Sequence, residues 1–427
     1  MTAQVFDSKS GFAVRMQVLA EVLIGKLRTE GVILLALRVL RRCALELCWM
    51  LSLPVAAILH AFGVRRLVVR AEHIGHLAEE INTYLKERAL GLLPKRHCFV
   101  LAPPGRVANQ HLLNYWREHV LVIAQPWICS VLLVVTRRFV AVTDLTHYTA
   151  DYFDTQDIYR VCKAWGERPP MLRLSEDDDV WSRQALERIG VPAGRWFVCV
   201  HVREGGFLPH NELIQAHRNA DVNGTFLAMA EIVRRGGICI RMGDGTMKRL
   251  PPMDGVIDYA HHPDKSARLD VVLCAKTKFF LGCTSGLAFV STAFGVPVAH
   301  ANMIPVAARG INRCDISIPK LIFREESREC LSLKEILGSP AANFFFSRQY
   351  RGAGLVVQEN SPEDILDLVL DMFDQLDGNA ELASADIMLA QRFDSLFKPG
   401  HYSYGAVSKP SIRFLKRRYA MLFDDPQ

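Results

Sequence analysis

A chain of 427 residues, half of them hydrophobic, has material for two or three domains around a sizeable core, which excludes a disordered chain or a small disulfide scaffold. The net charge of +6 is mild, and the basic residues gather beside apolar segments: Arg38, Arg41 and Arg42; Arg65, Arg66 and Arg70; Lys416, Arg417 and Arg418. That pattern favours an anionic membrane surface over a nucleic-acid groove, and no RNA- or DNA-binding motif is present, so no nucleic-acid partner is expected.

Residues 1–30 read as mixed, turning helical after Gly11. Residues 31–63 are strongly apolar, interrupted by three arginines and Glu46. The run 43–62 is long enough to span a bilayer, which takes about 20 residues. Glu46 and the mid-segment Pro54 count against a span. A monotopic or interfacial hairpin with its arginines at the headgroups fits equally, and the plain alternative is a helical region packed on the protein. No signal-peptide pattern is evident. The eleven cysteines form no C-x-x-C pair and mostly sit in apolar runs. They read as buried free thiols of a reducing compartment, neither zinc ligands nor disulfides.

From residue 65 strands and helices alternate. Strands are predicted over 66–70, 97–101 and 120–124, with helices over 77–88 and 110–119 between them; 71–76 reads as a loop containing Ile74-Gly75-His76. Residues 143–168 read as a polar connection. Asp177 and Asp179 form a D-x-D string that in some sugar transferases holds a metal, but no apolar strand leads into it. Acids at the start of a helix over 180–189, complementing its dipole, explain them better.

A second alternating series starts near 195. Strands are predicted over 196–202, 238–242, 256–259, 278–282, 296–299 and 316–321, and helices over 224–235, 268–275, 287–294 and 362–373. Such a pattern implies an α/β layer with a parallel sheet, whose ligands bind at the carboxyl ends of the strands. Polar groups gather at those ends: His201 and Arg203; Arg241, Gly243 and Asp244; Thr284, Ser285 and Gly286. Arg203 offers a planar donor fork suited to phosphate oxygens, and Arg218 could do the same from a loop. The 284–286 turn offers neutral donors at a helix start. Asp244 could accept from a sugar hydroxyl. The bland readings are a salt bridge for Arg203, with Glu204 as the near partner, and a turn residue for Asp244. Taken together the residues describe a nucleoside-diphosphate-sugar site. There is no G-x-G-x-x-G fingerprint, Walker sequence or G-x-S-x-G elbow, so dehydrogenase, P-loop kinase and α/β-hydrolase readings lose support.

The runs 216–221 (AHRNAD), 240–244 (IRMGD), 257–260 (IDYA), 269–275 (LDVVLCA), 280–287 (FLGCTSGL) and 294–298 (FGVPV), with 74–78 (IGHLA) upstream, resemble a bacterial glycosyltransferase family of surface-polysaccharide gene clusters. The resemblance covers 65–375 and is most specific over 200–300. More distantly, His201-Val202-Arg203 and the Thr-Ser-Gly turn look like the GDP-fucose transferases, in which the His-x-Arg arginine faces the donor diphosphate. Glu204-Gly205-Gly206 departs from the acid usual after that motif, which puts fucose specificity in doubt.

The resemblance implies a GT-B-type α/β fold: two Rossmann-like domains facing a cleft. The expected division is 1–64 helical and membrane-associated, 65–170 an acceptor domain, 171–390 a nucleotide-sugar donor domain and 391–427 a helical tail. The implied function is transfer of a sugar from a nucleotide-sugar donor to a hydroxyl, on a glycan or lipid-linked acceptor, in bacterial surface-glycan synthesis at the cytoplasmic face of the inner membrane. Donor-binding residues would be His201, Arg203, Arg218, Asn219, Arg241, Gly243, Asp244, Thr284, Ser285 and Gly286. The general base would be His76 or, second, Asp221. No metal or other cofactor is expected, because arginines and a helix start supply positive charge. A nucleotide-sugar epimerase on the same fold and a non-catalytic glycan- or nucleotide-binding protein are the alternatives.

Overall fold

The computed structural model describes residues 32–136, 142–148, 156–206, 212, 214–378 and 383–423. The helix expected after Gly11 and part of the polar loop after Gly206 lie outside them.

The first half comprises α1 (Val32–Ala61), β1 (Val64–Val68), α2 (Ile74–Ala89), β2 (His97–Leu101), α3 (Gln110–Trp116), β3 (Leu121–Ile123), α4 (Pro126–Val135) and β4 (Val142–Asp144). Helices α5 (Gln156–Trp165) and α6 (Glu176–Arg188) lead to the second half. There follow β5 (Phe197–His201), α7 (Phe226–Arg234), β6 (Ile238–Arg241), β7 (Val256–Ile257), α8 (Ala267–Lys276), β8 (Phe280–Gly282), α9 (Gly286–Ala293), β9 (Val298–Met303) and β10 (Ile316–Pro319). The chain closes with β11 (Leu321–Arg324), α10 (Leu333–Leu337), α11 (Ser347–Gly352), β12 (Leu355–Gln358), α12 (Pro362–Leu376), α13 (Ser384–Ser395), β13 (Lys409–Pro410), α14 (Ile412–Arg417) and α15 (Tyr419–Leu422).

Two parallel sheets result. The first has the order β3-β2-β1-β4 and the second β13-β10-β9-β8-β5-β6-β7. β11 and β12 form a separate antiparallel pair. In the second sheet the chain leaves β5 toward β6 and β7, then returns to β8 on the other side. The carboxyl ends of β5 and β8 thus flank the point where strand order reverses, the place where doubly wound sheets hold ligands. The first sheet reverses in the same way between β1 and β4.

The two sheets meet through packed helices. Leu67, Leu77, Val100 and Trp116 share one buried cluster with Leu269, Phe280, Val290 and Val298. α2 lies against α9, and the contact is backbone to backbone: a β-carbon on Gly286 would stand 2.8 Å from the Gly75 nitrogen and 3.0 Å from Ile74 Cγ2. A second core fills the opposite side of the larger sheet, where α7 and α12 pack.

Several elements differ from expectation. α2 starts at Ile74, so Ile74-Gly75-His76 is a first helical turn and no loop. α6 starts at Glu176, with Ser175 as its cap accepting from the Asp178 amide at 3.2 Å. Its acids do more than complement a dipole: Asp177 and Asp178 pair with Arg268 at 2.5 and 2.6 Å, and Asp179 pairs with Lys276 at 2.6 Å, tying α6 to α8. α5 forms inside the stretch read as a connection, because Ile158, Tyr159, Val161 and Cys162 bury one face. The end of the chain joins the body: β13 extends the large sheet beside β10, and Arg417 and Arg418 pair with Asp367 and Asp364 on α12. All eleven cysteines are free, as expected, although Cys43 and Cys48 are exposed on α1.

Candidate functional site

The fully buried run of β5, apolar up to its last residue His201, carries the chain to the reversal point, and the next residues turn outward with Arg203. The Arg203 amide donates to Cys283 Sγ at 3.2 Å, joining the ends of β5 and β8. Its guanidinium Nε donates to Asn219 Oδ1 at 3.2 Å. Arg218, in the one-turn helix Ala216–Arg218, donates to Gln215 Oε1 at 2.7 Å and to the Thr284 carbonyl at 2.6 Å. Lys320, directly after β10 and buried, donates from Nζ to the Asn219 carbonyl at 2.5 Å.

All three cations are held by neutral acceptors. Among the described residues no carboxylate is ion-paired to any of them; Glu212, which accepts from Asn219 Nδ2 at 2.6 Å, acts on Arg203 by charge alone, and Glu359 likewise on Lys320. Burial pulls Arg203 and Lys320 below their ordinary pKa values. Burial, then the neighbouring Arg203 charge, brings Arg218 down to about 9. His217 is pushed down to about 3 by burial and by Arg218, Lys320 and Arg203; its Nδ1 meets Ser347 Oγ at 2.9 Å and its ring leans on Tyr350. Cations brought together partly out of water without a paired counter-charge form a site whose repulsion a bound anion relieves.

The start of α9 adds to that field. Ser285 takes the N-cap position, but its side chain caps nothing and its buried Oγ has no partner. His201 is buried below the same rim with Nδ1 unpartnered, and burial followed by the Arg241 charge lowers it to about 4, so the imidazole is neutral. The structure therefore brings together His201, Arg203, Arg218, Asn219, Thr284, Ser285 and Gly286. Thr284 contributes through its carbonyl, which positions Arg218.

Arg241 is a correction. It is fully buried and pairs with Glu204 at 2.8 Å and Asp258 at 3.0 Å, so its charge is spent inside the protein. Glu204 thereby braces Arg241, and the expected alternative of a Glu204 pair with Arg203 is not what forms. Asp244 is a turn residue whose Oδ1 accepts from the Thr246 amide at 2.8 Å. Gly243 has φ +141°, and a β-carbon there would stand 2.1 Å from Met247 Sδ; it shapes the turn. Asp221 is exposed and caps the short helix Val222–Thr225, its Oδ1 accepting from the Asn223 amide at 3.0 Å.

His76 stands in the first turn of α2, one residue from the Gly75–Gly286 contact. Its Nδ1 lies 2.7 Å from Glu80 Oε1, and Glu80 is buried, its other oxygen accepting from the Arg70 amide at 3.0 Å. A carboxylate behind an imidazole fixes the ring's orientation. Lys320 and Glu80 were not singled out from sequence. Lys320 had a signal, a cation just past an apolar strand on the same rim; Glu80 had its i, i+4 spacing from His76. Among the described residues no group of three or more His, Cys, Asp and Glu could hold a metal ion.

No family model matches this chain, and no curated protein matches it. Among solved structures it is similar to an ADP-heptose lipopolysaccharide heptosyltransferase II of E. coli, with TM-score 0.35 and 11% identity over 56% of this chain and 84% of that one. It is similar to a glycosyl transferase family 9 protein of Veillonella parvula, with TM-score 0.35 and 12% identity over 56% and 80% of the two chains. A third likeness is to the E. coli heptosyltransferase WaaC with ADP, at TM-score 0.32 and 9% identity over 60% and 91%. Likenesses this slight carry no argument, and the functional reading rests on the site.

Proposed function

We propose that the chain is a glycosyltransferase that binds a nucleoside-diphosphate sugar at the strand reversal of the larger sheet and passes the sugar to a hydroxyl of a bacterial surface glycan or its lipid-linked precursor. The carrying observation is the cluster of Arg203, Arg218 and Lys320 at that point, hydrogen-bonded to neutral acceptors and in no ion pair among the described residues. On this reading the cluster and the α9 start stabilise the charge that develops on the leaving diphosphate, and no metal is required. Residues 171–390 hold the donor and 65–170 the acceptor, with the catalysis at their junction. His76, oriented by Glu80, takes the proton of the acceptor hydroxyl. The chain works at the cytoplasmic face of the inner membrane.

A thermal-shift panel of ADP, UDP, GDP, dTDP and CMP tests the donor site, because a ligand of the native state raises its stability. At least one diphosphate should raise the melting temperature of the wild type and fail to do so in Arg203→Ala. No shift with any of them would sink the reading. Product analysis with a nucleotide sugar and no acceptor separates transfer from epimerisation.

A further inference from the structure

α1 has two unlike faces. Trp49, Leu53, Ala56 and Leu59 lean on the protein, where α1 contacts β1 and α4. The opposite face carries Leu47, Met50, Leu51, Val55, Ile58 and Phe62, all exposed, Leu51 and Phe62 at 73% and 75%. Their spacing keeps them on one stripe of a helix, ~22 Å long at 1.5 Å per residue. α4, packed on α1, exposes apolar residues of its own, Trp127 at 70% and Val131 at 56%. Exposed apolar residues gathered on two packed helices are unlike the scattered ones of an ordinary monomer.

Charge selects the occupant. Arg38, Arg41 and Arg42 are exposed at the N-terminal end of the stripe. Lys95 and Arg96 flank its other end, where the His97 amide donates to the Gly63 carbonyl at 3.1 Å. A second copy of this chain would place basic ends on basic ends in either orientation. A bilayer with anionic headgroups satisfies both ends and the apolar middle, with Trp127 suited to the boundary between them.

Ala36–Ala61 is long and apolar enough to cross a membrane by length and composition. Its packed face argues for another placement: α1 ends at Ala61 and β1 begins at Val64, inside the sheet. A perpendicular span would have to give up the contacts with α4 and β1. We infer that α1 and α4 form a monotopic docking plate on an anionic bilayer, the helices lying in the interface and the chain crossing nothing. This rests on the exposed surface and holds or fails separately from the donor site.

The test uses the full chain with vesicles of phosphatidylcholine containing one-fifth phosphatidylglycerol, and with pure phosphatidylcholine. Flotation should be strong with the first and weaker with the second. The double variant Trp127→Ser, Val131→Ser should lower partitioning about tenfold, while a nucleoside diphosphate that shifts the wild type still shifts the variant. In inside-out membranes of expressing bacteria, added protease should digest residues 1–31 along with the body. A protected N-terminal fragment would overturn the proposal in favour of a span. Unchanged partitioning of the double variant, or equal binding to neutral vesicles, would overturn it as well. So would a concentration-dependent dimer that does not float.

Discussion

Gly75 and Gly286 place two helix starts in backbone contact: a β-carbon on Gly75 would lie 2.7 Å from the Gly286 Cα. Each glycine follows a strand of a different sheet, so this contact is one of those that hold the two sheets together.

Gly286→Ala should therefore cost stability without any change of chemistry. The obstacle is backbone, which cannot swing away, and overpacking of this kind costs about 1–3 kcal/mol. Urea denaturation measures the loss. Diphosphate binding should weaken too, because the α9 start moves with the helix. A variant as stable as the wild type would mean that the helices separate freely.

Arg218→Met and Arg241→Met should part company. Arg218 is one of three like charges with neutral acceptors, Lys320 buried and the two arginines half-buried. Its removal should leave the melting temperature level or higher and weaken diphosphate binding at least tenfold, about 1.4 kcal/mol. Arg241 answers Glu204 and Asp258. Its removal leaves two carboxylates unanswered and should destabilise by about 3–5 kcal/mol. Calorimetry of the two variants with and without nucleotide decides; equal destabilisation of both would mean that Arg218 is only structural.

His201 and His217 give acid sensitivity of known sign. Both are lowered below the usual 6.5, His201 to about 4 and His217 to about 3, chiefly by burial. The unfolded chain takes up their protons first, so stability is whole above pH 6.5 and falls as pH drops toward the folded values. For His201 alone the loss between pH 6.5 and 4 is on the order of 3 kcal/mol. Thermal unfolding across that window should show a shallower fall in His201→Gln than in the wild type. Parallel curves would refute the assignment.

His76→Asn should slow transfer by roughly 10²–10⁴ if the imidazole is the base, with diphosphate binding unaltered. Glu80→Gln should keep the ring's place and lose its charge partner, so kcat should fall. Single-turnover rates together with nucleotide affinity separate a loss of chemistry from a loss of binding.

Much of the pocket was legible in the chain. Arg203 follows an unbroken apolar strand into glycines, and Cys283-Thr284-Ser285-Gly286 ends one strand and begins a helix; strand ends of a parallel sheet share a rim, so their meeting follows from local pattern. Arg241 looked the same, a cation at a strand end, and was misread. Nothing local reveals that Glu204 and Asp258, 37 and 17 residues away, both turn toward it. Asp221 is local by contrast: a carboxylate two residues before an amide can cap it, and here that bond forms.

The sequence by itself determined the alternation of strands and helices, the apolar first helix and the polar turns at the β5 and β8 ends, because these depend on side-chain period and backbone freedom over a few residues. Only the tertiary structure decided which cations keep their charge available. Arg203, Arg218 and Lys320 come from segments more than a hundred residues apart at the extremes, and the sheet order lays them around Asn219. The same order supplies carboxylates to Arg241 and withholds them from these three. Partnering across the fold, set by strand order and helix packing, is what separates a binding cation from a structural one.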